Sequence, residues 1–328
     1  MILTLTLNPS IDRTVELPAS LERGAVHRAT LPATEVAAGK GVNVARVLRA
    51  GGLAARAIVL ARPDDRFATM LAADDVDAVC VPSDAAVRTN LSLTEPDGTT
   101  TKINEQGAPF EEHALAAVLE TIRAHAPSAD WLVIAGSLPS GAPSDVVRAI
   151  IRAARDASSA IRIAVDTSGA ALSAAVASGD IDLAKPNDAE LEELLGLSHG
   201  AIGDLHDAAA AAQSLVGLGV GTVLLTLGGD GAILADADTT LHAVPPATEV
   251  RSTVGAGDAS LAGWLLAAVR GDDSAGRLRQ AVAHGSAAAA MPGTGFPTPD
   301  DADASRVAVA SLSPIPVTAA PAANPQEH

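Results

Sequence analysis

The 328-residue sequence has a single cysteine and no tyrosine, and aromatic residues make up only 2% of it. One cysteine excludes an intrachain disulfide and a cysteine-built zinc cluster. Cys80, within Asp77-Ala-Val-Cys-Val81, reads as a buried strand residue. Positive charge is also scarce: 22 Lys and Arg stand against 39 Asp and Glu, a formal net charge of -17. Such a balance argues against nucleic acid and anionic membrane as partners, while leaving room for a local basic pocket. No apolar run reaches transmembrane length without interruption. The start, Met1-Ile-Leu-Thr-Leu-Thr-Leu7, lacks a basic leader region and meets Asn8-Pro9 at once. It reads as a first strand and not a signal peptide, so the cytoplasm is the expected location. The eight histidines form no His-Glu-x-x-His pair, and no Gly-x-Ser-x-Gly elbow is present. Histidine-bound metal and serine-triad hydrolysis therefore have little support. Alanine supplies much of the apolar content, and small side chains permit close helix–sheet packing although each buries little area.

What the sequence does have is a run of apolar strands alternating with alanine-rich helical stretches. Strands are predicted at 57–60, 131–135, 161–165, 183–184 and 223–227, and helices near 42–50, 111–125, 143–157, 188–195 and 204–217. This alternation predicts crossover units, a mainly parallel sheet and helices on both faces, with functional residues beyond the carboxyl ends of the strands. Two regions break the rhythm. Residues 12–36 and 86–106 are polar and alternating, and Glu95-Pro-Asp-Gly98 supplies a hairpin turn. They suit a small exposed sheet that acts as a flap over a substrate, as a dimerisation surface, or as both. The organisation read from this is one domain over 1–310 and a loose tail over 311–328, where scattered prolines end in Asn-Pro-Gln-Glu-His.

The chemistry concentrates at Ser252-Thr-Val-Gly-Ala-Gly-Asp258, which opens the apolar stretch Ala259–Ala268. Glycines at 255 and 257 let the backbone approach a ligand, and a helix start leaves N–H donors unpaired and suited to phosphate. A carboxylate beside such an anion hole fits phosphoryl transfer to an alcohol, where a proton leaves as negative charge builds. A helix start also stabilises an ionised carboxylate, so Asp258 is expected to be a weak base.

Other motifs each carry two readings. Ala38-Gly-Lys-Gly-Val-Asn-Val-Ala45 reads as a glycine-rich turn with a solvated lysine, or as a cradle for an anionic substrate group; its spacing is not that of a P-loop. Leu183-Ala-Lys-Pro-Asn-Asp-Ala-Glu190 places Asn187 and Glu190 three apart, which makes a capping box, a water-mediated Mg²⁺ site, or both. Leu225-Thr-Leu-Gly-Gly-Asp-Gly-Ala232 predicts a tight hairpin, with nucleotide contact as an addition. Ser137, in Ala135-Gly-Ser-Leu-Pro139, either donates to substrate or caps a turn. Asp12 is either a turn residue or an acceptor for sugar hydroxyls.

Taken in order, Asn8-Pro-x-x-Asp12, Gly39-Lys-Gly-x-Asn43, Thr89-Asn90, Lys102-Ile-Asn-Glu105, Gly136-Ser-Leu-Pro139, Lys185-Pro-Asn-x-x-Glu190, Leu227-Gly-Gly-Asp-Gly231 and Thr253-Val-Gly-Ala-Gly-Asp258 resemble the ribokinase-like (PfkB) carbohydrate kinases from Asn8 to about Gly293. Their wording is nearer to the 1-phosphofructokinase branch than to ribokinase or adenosine kinase. The resemblance implies a three-layer α/β/α core with a mainly parallel sheet and a small β lid, ATP and Mg²⁺ as cofactors, and dimerisation through the lid. It implies Asp258 as catalytic base and Gly255, Ala256 and Gly257 as anion hole. It implies a sugar-phosphate site of Asp12, Gly39, Lys40, Asn43, Asn104 and Ser137, with Arg88 clamping the existing phosphate. Lys185, Thr226, Gly228 and Gly231 would face the nucleotide phosphates, and Asn187 and Glu190 match the magnesium-linked motif. The implied reaction is transfer from ATP to the C6 hydroxyl of fructose 1-phosphate. Tagatose-6-phosphate kinase, 6-phosphofructokinase and an inactive sugar-phosphate sensor are the alternatives. One departure stands out: Leu60-Ala-Arg-Pro-Asp-Asp-Arg-Phe67 replaces a glycine-rich turn usual in relatives, and alters either the sugar pocket or a surface turn.

Overall fold

A computed structural model describes residues 1–29, 31–143, 145–291 and 293–312. The first third of the chain gives β1 (Ile2–Thr6), β2 (Ser10–Glu16), β3 (Thr34–Ala38), α1 (Lys40–Ala50), β4 (Ala55–Leu60), α2 (Arg66–Ala73), β5 (Ala78–Val81), β6 (Arg88–Thr94) and β7 (Thr100–Asn104). The middle third gives α3 (Glu112–His125), β8 (Trp131–Ala135), α4 (Val146–Ala157), β9 (Arg162–Asp166), α5 (Gly169–Val176), β10 (Leu183–Ala184), α6 (Asp188–Leu195) and α7 (Leu205–Gly217). The last third gives β11 (Thr222–Thr226), β12 (Ala232–Asp236), β13 (Thr240–Val244), α8 (Ala256–Arg270), α9 (Ser274–Ala289) and β14 (Ala308–Ser311).

The central strands are near-continuous apolar runs because they are covered on both faces. Strands β11, β10, β9, β8, β1, β4 and β5 lie side by side in parallel. The sheet then continues antiparallel from β11 through β12 and β13 to β14. One face packs a core built with α1, α2, α8 and α9, and the other a core built with α3 to α7. The result is the predicted three-layer α/β/α arrangement with a mixed, mainly parallel sheet.

Helix α8 is buried without interruption from Asp258 to Ala268. Its small residues let α9 lie close: a Cβ on Gly263 would stand 2.4 Å from the Gln280 carbonyl oxygen. Trp264 of α8 meets Trp131 of β8 edge to face at 5.6 Å, an arrangement favoured by the ring quadrupoles.

A second sheet, in the order β3-β2-β6-β7, stands apart from the first. Strands β2 and β6 run parallel, and Glu95-Pro-Asp-Gly98 turns β6 back into β7.

Several expectations need correction. Helices α2, α5 and α9 were not predicted, because Arg62–Phe67 reads as a loop and the alanine-rich segments lack a sharp apolar period. Asp12 lies in strand β2 and not in a turn. Cys80 is half-buried in β5, a strand at the sheet edge. The segment 308–311 is a strand on β13, so order extends past the start of the predicted tail; residues 313–328 lie outside the described residues.

Candidate active site

Five parallel strands end at one rim, and the residues just beyond them line a cleft of about 1020 Å³. Asn8 and Ser10 follow β1, Gly136 and Ser137 follow β8, and Thr167 follows β9. Lys185 and Asn187 follow β10, and Gly228 follows β11. This is where an open α/β sheet places its ligands. The lid contributes Asp12, Arg88 and Asn90, and the start of α8 contributes Gly255, Ala256, Gly257 and Asp258.

The start of α8 has no side-chain cap, and Gly255 takes the left-handed conformation at φ 79°. The first-turn N–H groups of the helix are thus left for a ligand. The Ala256 N–H makes only a long 3.4 Å bond to the Thr253 carbonyl. Asp258 is 6% exposed, and its Oδ2 accepts from Asn43 Nδ2 at 2.8 Å. Asn43 reaches it from the first turn of α1.

A buried acid that sequence reasoning missed organises the centre. Asp166 ends β9 with no exposed surface. Its Oδ1 pairs with Lys40 Nζ at 2.8 Å and its Oδ2 with Lys185 Nζ at 3.1 Å. The available signal was a lone carboxylate closing an apolar strand. Burial pushes Asp166 up, but the two ammonium groups together bring it below the usual carboxylate range. Asp166 in turn holds Lys40 above the usual lysine value, against the cost of burial. Gly257 permits this crowding, since a Cβ there would lie 3.2 Å from Lys185 Nζ.

Asp258 behaves opposite to the expectation drawn from its helix position. Burial first, and the Asp166 charge second, raise it to about 7, with Lys40, Asn43 and Lys185 opposing. Desolvation by burial is the largest of these effects. A carboxyl near neutrality beside uncapped N–H donors can exchange a proton while developing negative charge is held.

At the lid end, Asp12 Oδ1 accepts from Ser10 Oγ at 2.8 Å and from Asn90 Nδ2 at 3.0 Å. Arg88 spans two carbonyls, Glu105 at 2.6 Å and Asn8 at 3.3 Å. Ser137 Oγ accepts from Asn8 Nδ2 at 3.3 Å. Gly39 and Lys40 line the same end. Asn104 does not join them: it lies exposed on β7 opposite Asn90, outside the cleft lining.

At the other end, Asn187 and Glu190 form a reciprocal capping box on α6, at 2.8 and 3.0 Å. Both also line the cleft. Thr226 is held to the Pro186 carbonyl, and Gly228 and Gly231 form the rim of the β11–β12 hairpin. Asp84, Glu111 and His113 bring possible ligand atoms within 4.8 Å of one another. They lie outside the cleft lining, and both Glu111 oxygens already accept the Asp84 N–H.

Comparison with known proteins fits this geometry. The pfkB family of carbohydrate kinases matches residues 5–301. The chain belongs to the pfkB family. It is therefore an ATP-dependent sugar phosphotransferase. It is 36% identical to the 1-phosphofructokinase of Rhodobacter capsulatus, over 96% of this chain and 99% of that one. It is 34% identical to the ATP-dependent 6-phosphofructokinase isozyme 2 of Escherichia coli, over 92% and 96%. Among solved structures, phosphofructokinase-2 from Escherichia coli in complex with fructose-6-phosphate matches with TM-score 0.81 and 31% identity, over 92% of this chain and 96% of that one. Among the described residues, no helix is long and apolar enough to cross a membrane.

Proposed function

We propose that this PfkB kinase transfers the γ-phosphoryl group of ATP to the free primary hydroxyl of a fructose monophosphate, giving fructose 1,6-bisphosphate and ADP. The observation that carries the reading is Asp258, buried, pushed up to about 7 and set beside the uncapped start of α8. Asp258 takes the hydroxyl proton as the new O–P bond forms and the bond to the leaving ADP oxygen breaks. The N–H donors of Gly255, Ala256 and Gly257 hold the transferring group. Asn43 fixes the Asp258 carboxylate. Asp12, Gly39, Lys40, Asn43, Ser137 and Arg88 receive the sugar phosphate, with Asn104 beside them on the lid face it shares with Asn90. Lys185, Thr226, Gly228 and Gly231 face the nucleotide phosphates.

Asn187 and Glu190 suit a hydrated Mg²⁺. Their capping box engages one Glu190 oxygen, both residues line the cleft, and a carboxylate with an amide is the oxygen-rich set such an ion takes through water. When bound, Mg²⁺ would neutralise charge on the nucleotide phosphates.

The position of the existing phosphate is the finer question. The structural likeness to a fructose-6-phosphate complex supports fructose 6-phosphate, phosphorylated at C1, as the acceptor to test first. The 36% identity to a 1-phosphofructokinase supports fructose 1-phosphate, phosphorylated at C6. Initial rates of ADP release with each acceptor decide it. A kcat/KM ratio of ~10²-fold, about 2.7 kcal/mol of transition-state discrimination, assigns the acceptor. Equal rates mean that the pocket does not discriminate.

We further propose a cytoplasmic homodimer joined through the lid. Support comes from the register that puts Val15, Leu91, Leu93 and Ile103 on one face of the lid sheet while Asp12 and Asn90 face the cleft. Sedimentation of the wild type and of an Ile103→Asp variant tests this, with a shift to monomer expected for the variant.

A further inference from the structure

The strap that joins the core to the lid is pinned by carboxylates on both sides of Arg88. The chain leaves the edge strand β5 at Val81 and enters β6 at Arg88. One residue before Arg88, the Val87 N–H donates to Asp65 Oδ2 at 3.1 Å. One residue after it, the Thr89 N–H donates to Glu105 Oε2 at 2.8 Å. Asp65 belongs to the Arg62–Asp65 turn that departs from the usual glycine-rich pattern. None of its four residues lines the cleft.

Asp65 is anchored in the core and not in a loose loop. It is 7% exposed, and Phe67 beside it is completely buried. Its second oxygen, Oδ1, accepts the Phe67 N–H at 2.8 Å and caps α2. The one carboxylate therefore ties the start of a core helix to the entry of the lid. Pro63, with its fixed φ, restricts the turn that presents it.

Arg88 needs such a tie. It is the one arginine among the residues lining the cleft, and the two lysines there are already paired with Asp166. In the proposed function its guanidinium, held by the Glu105 and Asn8 carbonyls, is what meets the acceptor's phosphate, and planar forked recognition depends on orientation. Small displacements of a positioning group cost large factors in rate or binding.

We infer that Asp65 is a positioning residue that, by holding the Val87 N–H against the start of α2, sets Arg88 for the phosphate the sugar acceptor already carries. This rests on the proposed function. The Arg62–Asp65 turn, outside the cleft lining, acts on the pocket as a latch.

The test combines kinetics with amide hydrogen exchange on the full chain. Asp65→Ser and Asp65→Asn both retain a residue that caps α2, but neither offers two carboxylate oxygens. Each is expected to raise KM for the accepted fructose monophosphate about 10-fold, with kcat and the KM for ATP changed less than about 3-fold. In an Arg88→Ala background, Asp65→Ser is expected to add less than about 2-fold, because the two act as a unit. Exchange of the peptide spanning 82–94 is expected to quicken in both Asp65 variants without ligand. An additive loss in the Arg88→Ala background, or unchanged exchange over 82–94, overturns the inference. A wild type that phosphorylates no fructose monophosphate overturns the proposed function instead, and the exchange result then decides on the latch alone.

Discussion

At the scale of single residues, Asp258 and Asp166 are two carboxylates driven apart by their surroundings. Asp166 has two ammonium partners and stays ionised; Asp258 has an amide partner, a buried site and a like charge nearby. A base must be unprotonated to act, so kcat/KM is expected to rise with pH through about 7 and level above it. Its acid limb should vanish, together with at least ~10²-fold in kcat, in Asp258→Asn. Pre-steady-state and steady-state pH profiles of the two proteins check this. Stability carries the opposite sign. A carboxyl whose folded pKa is raised above its unfolded value loses stability as pH rises from about 4 through about 7. Asp258→Asn removes that loss, and its thermal midpoint at pH 8 is expected to equal or exceed that of the wild type by roughly 2–4 °C. Asp166→Asn removes the buried carboxylate that both lysines pair with and is expected to cost about 3–5 kcal/mol in chemical denaturation.

At the scale of elements, the β11–β12 hairpin and the α6 capping box set the nucleotide end. Gly231 sits at φ +89°, and a Cβ there would fall 1.9 Å from the Ala243 carbonyl oxygen. Gly231→Ala must therefore displace β13 or the rim. It is expected to cost about 2–4 kcal/mol of stability and to raise KM for ATP more than KM for the sugar. Glutamine at position 190 still completes a capping box. Glu190→Gln should thus fold normally yet need more Mg²⁺ for half-maximal rate, which a metal titration reads. These elements were legible because their signals are local: a capping residue three positions before an acid, glycines ending a strand, and a proline-glycine turn before β7. Asp166 was not legible, since the lysines that give it meaning lie 126 and 19 positions away. The basicity of Asp258 was misread for the same reason. The helix start is local, whereas Asp258 is buried by the tertiary fold and the Asp166 charge that also raises it comes from β9. Asn104 shares the cleft-facing side of the lid with its partner Asn90, yet strand alternation gives only the face and not how far each side chain reaches into the cleft.

At the scale of the whole molecule, an acidic chain carries its working cations in one place, where Lys40, Lys185 and Arg88 line a single cleft. Ligands that bridge the core and the lid stabilise both at once. Mg·ATP analogue and fructose monophosphate together at ~100 times their Kd should add about 2.7 kcal/mol or more. Emission from Trp131 and Trp264, both buried in the core, reports that unfolding. The most direct measurement is paired quantification of ADP and fructose 1,6-bisphosphate formed from Mg·ATP and each fructose monophosphate, by the wild type and by Asp258→Asn. The expected result is one-to-one formation of both products by the wild type, and a rate at least ~10²-fold lower in the variant. Formation of ADP without the bisphosphate, no product with either acceptor, or an Asp258→Asn variant as fast as the wild type would contradict the account.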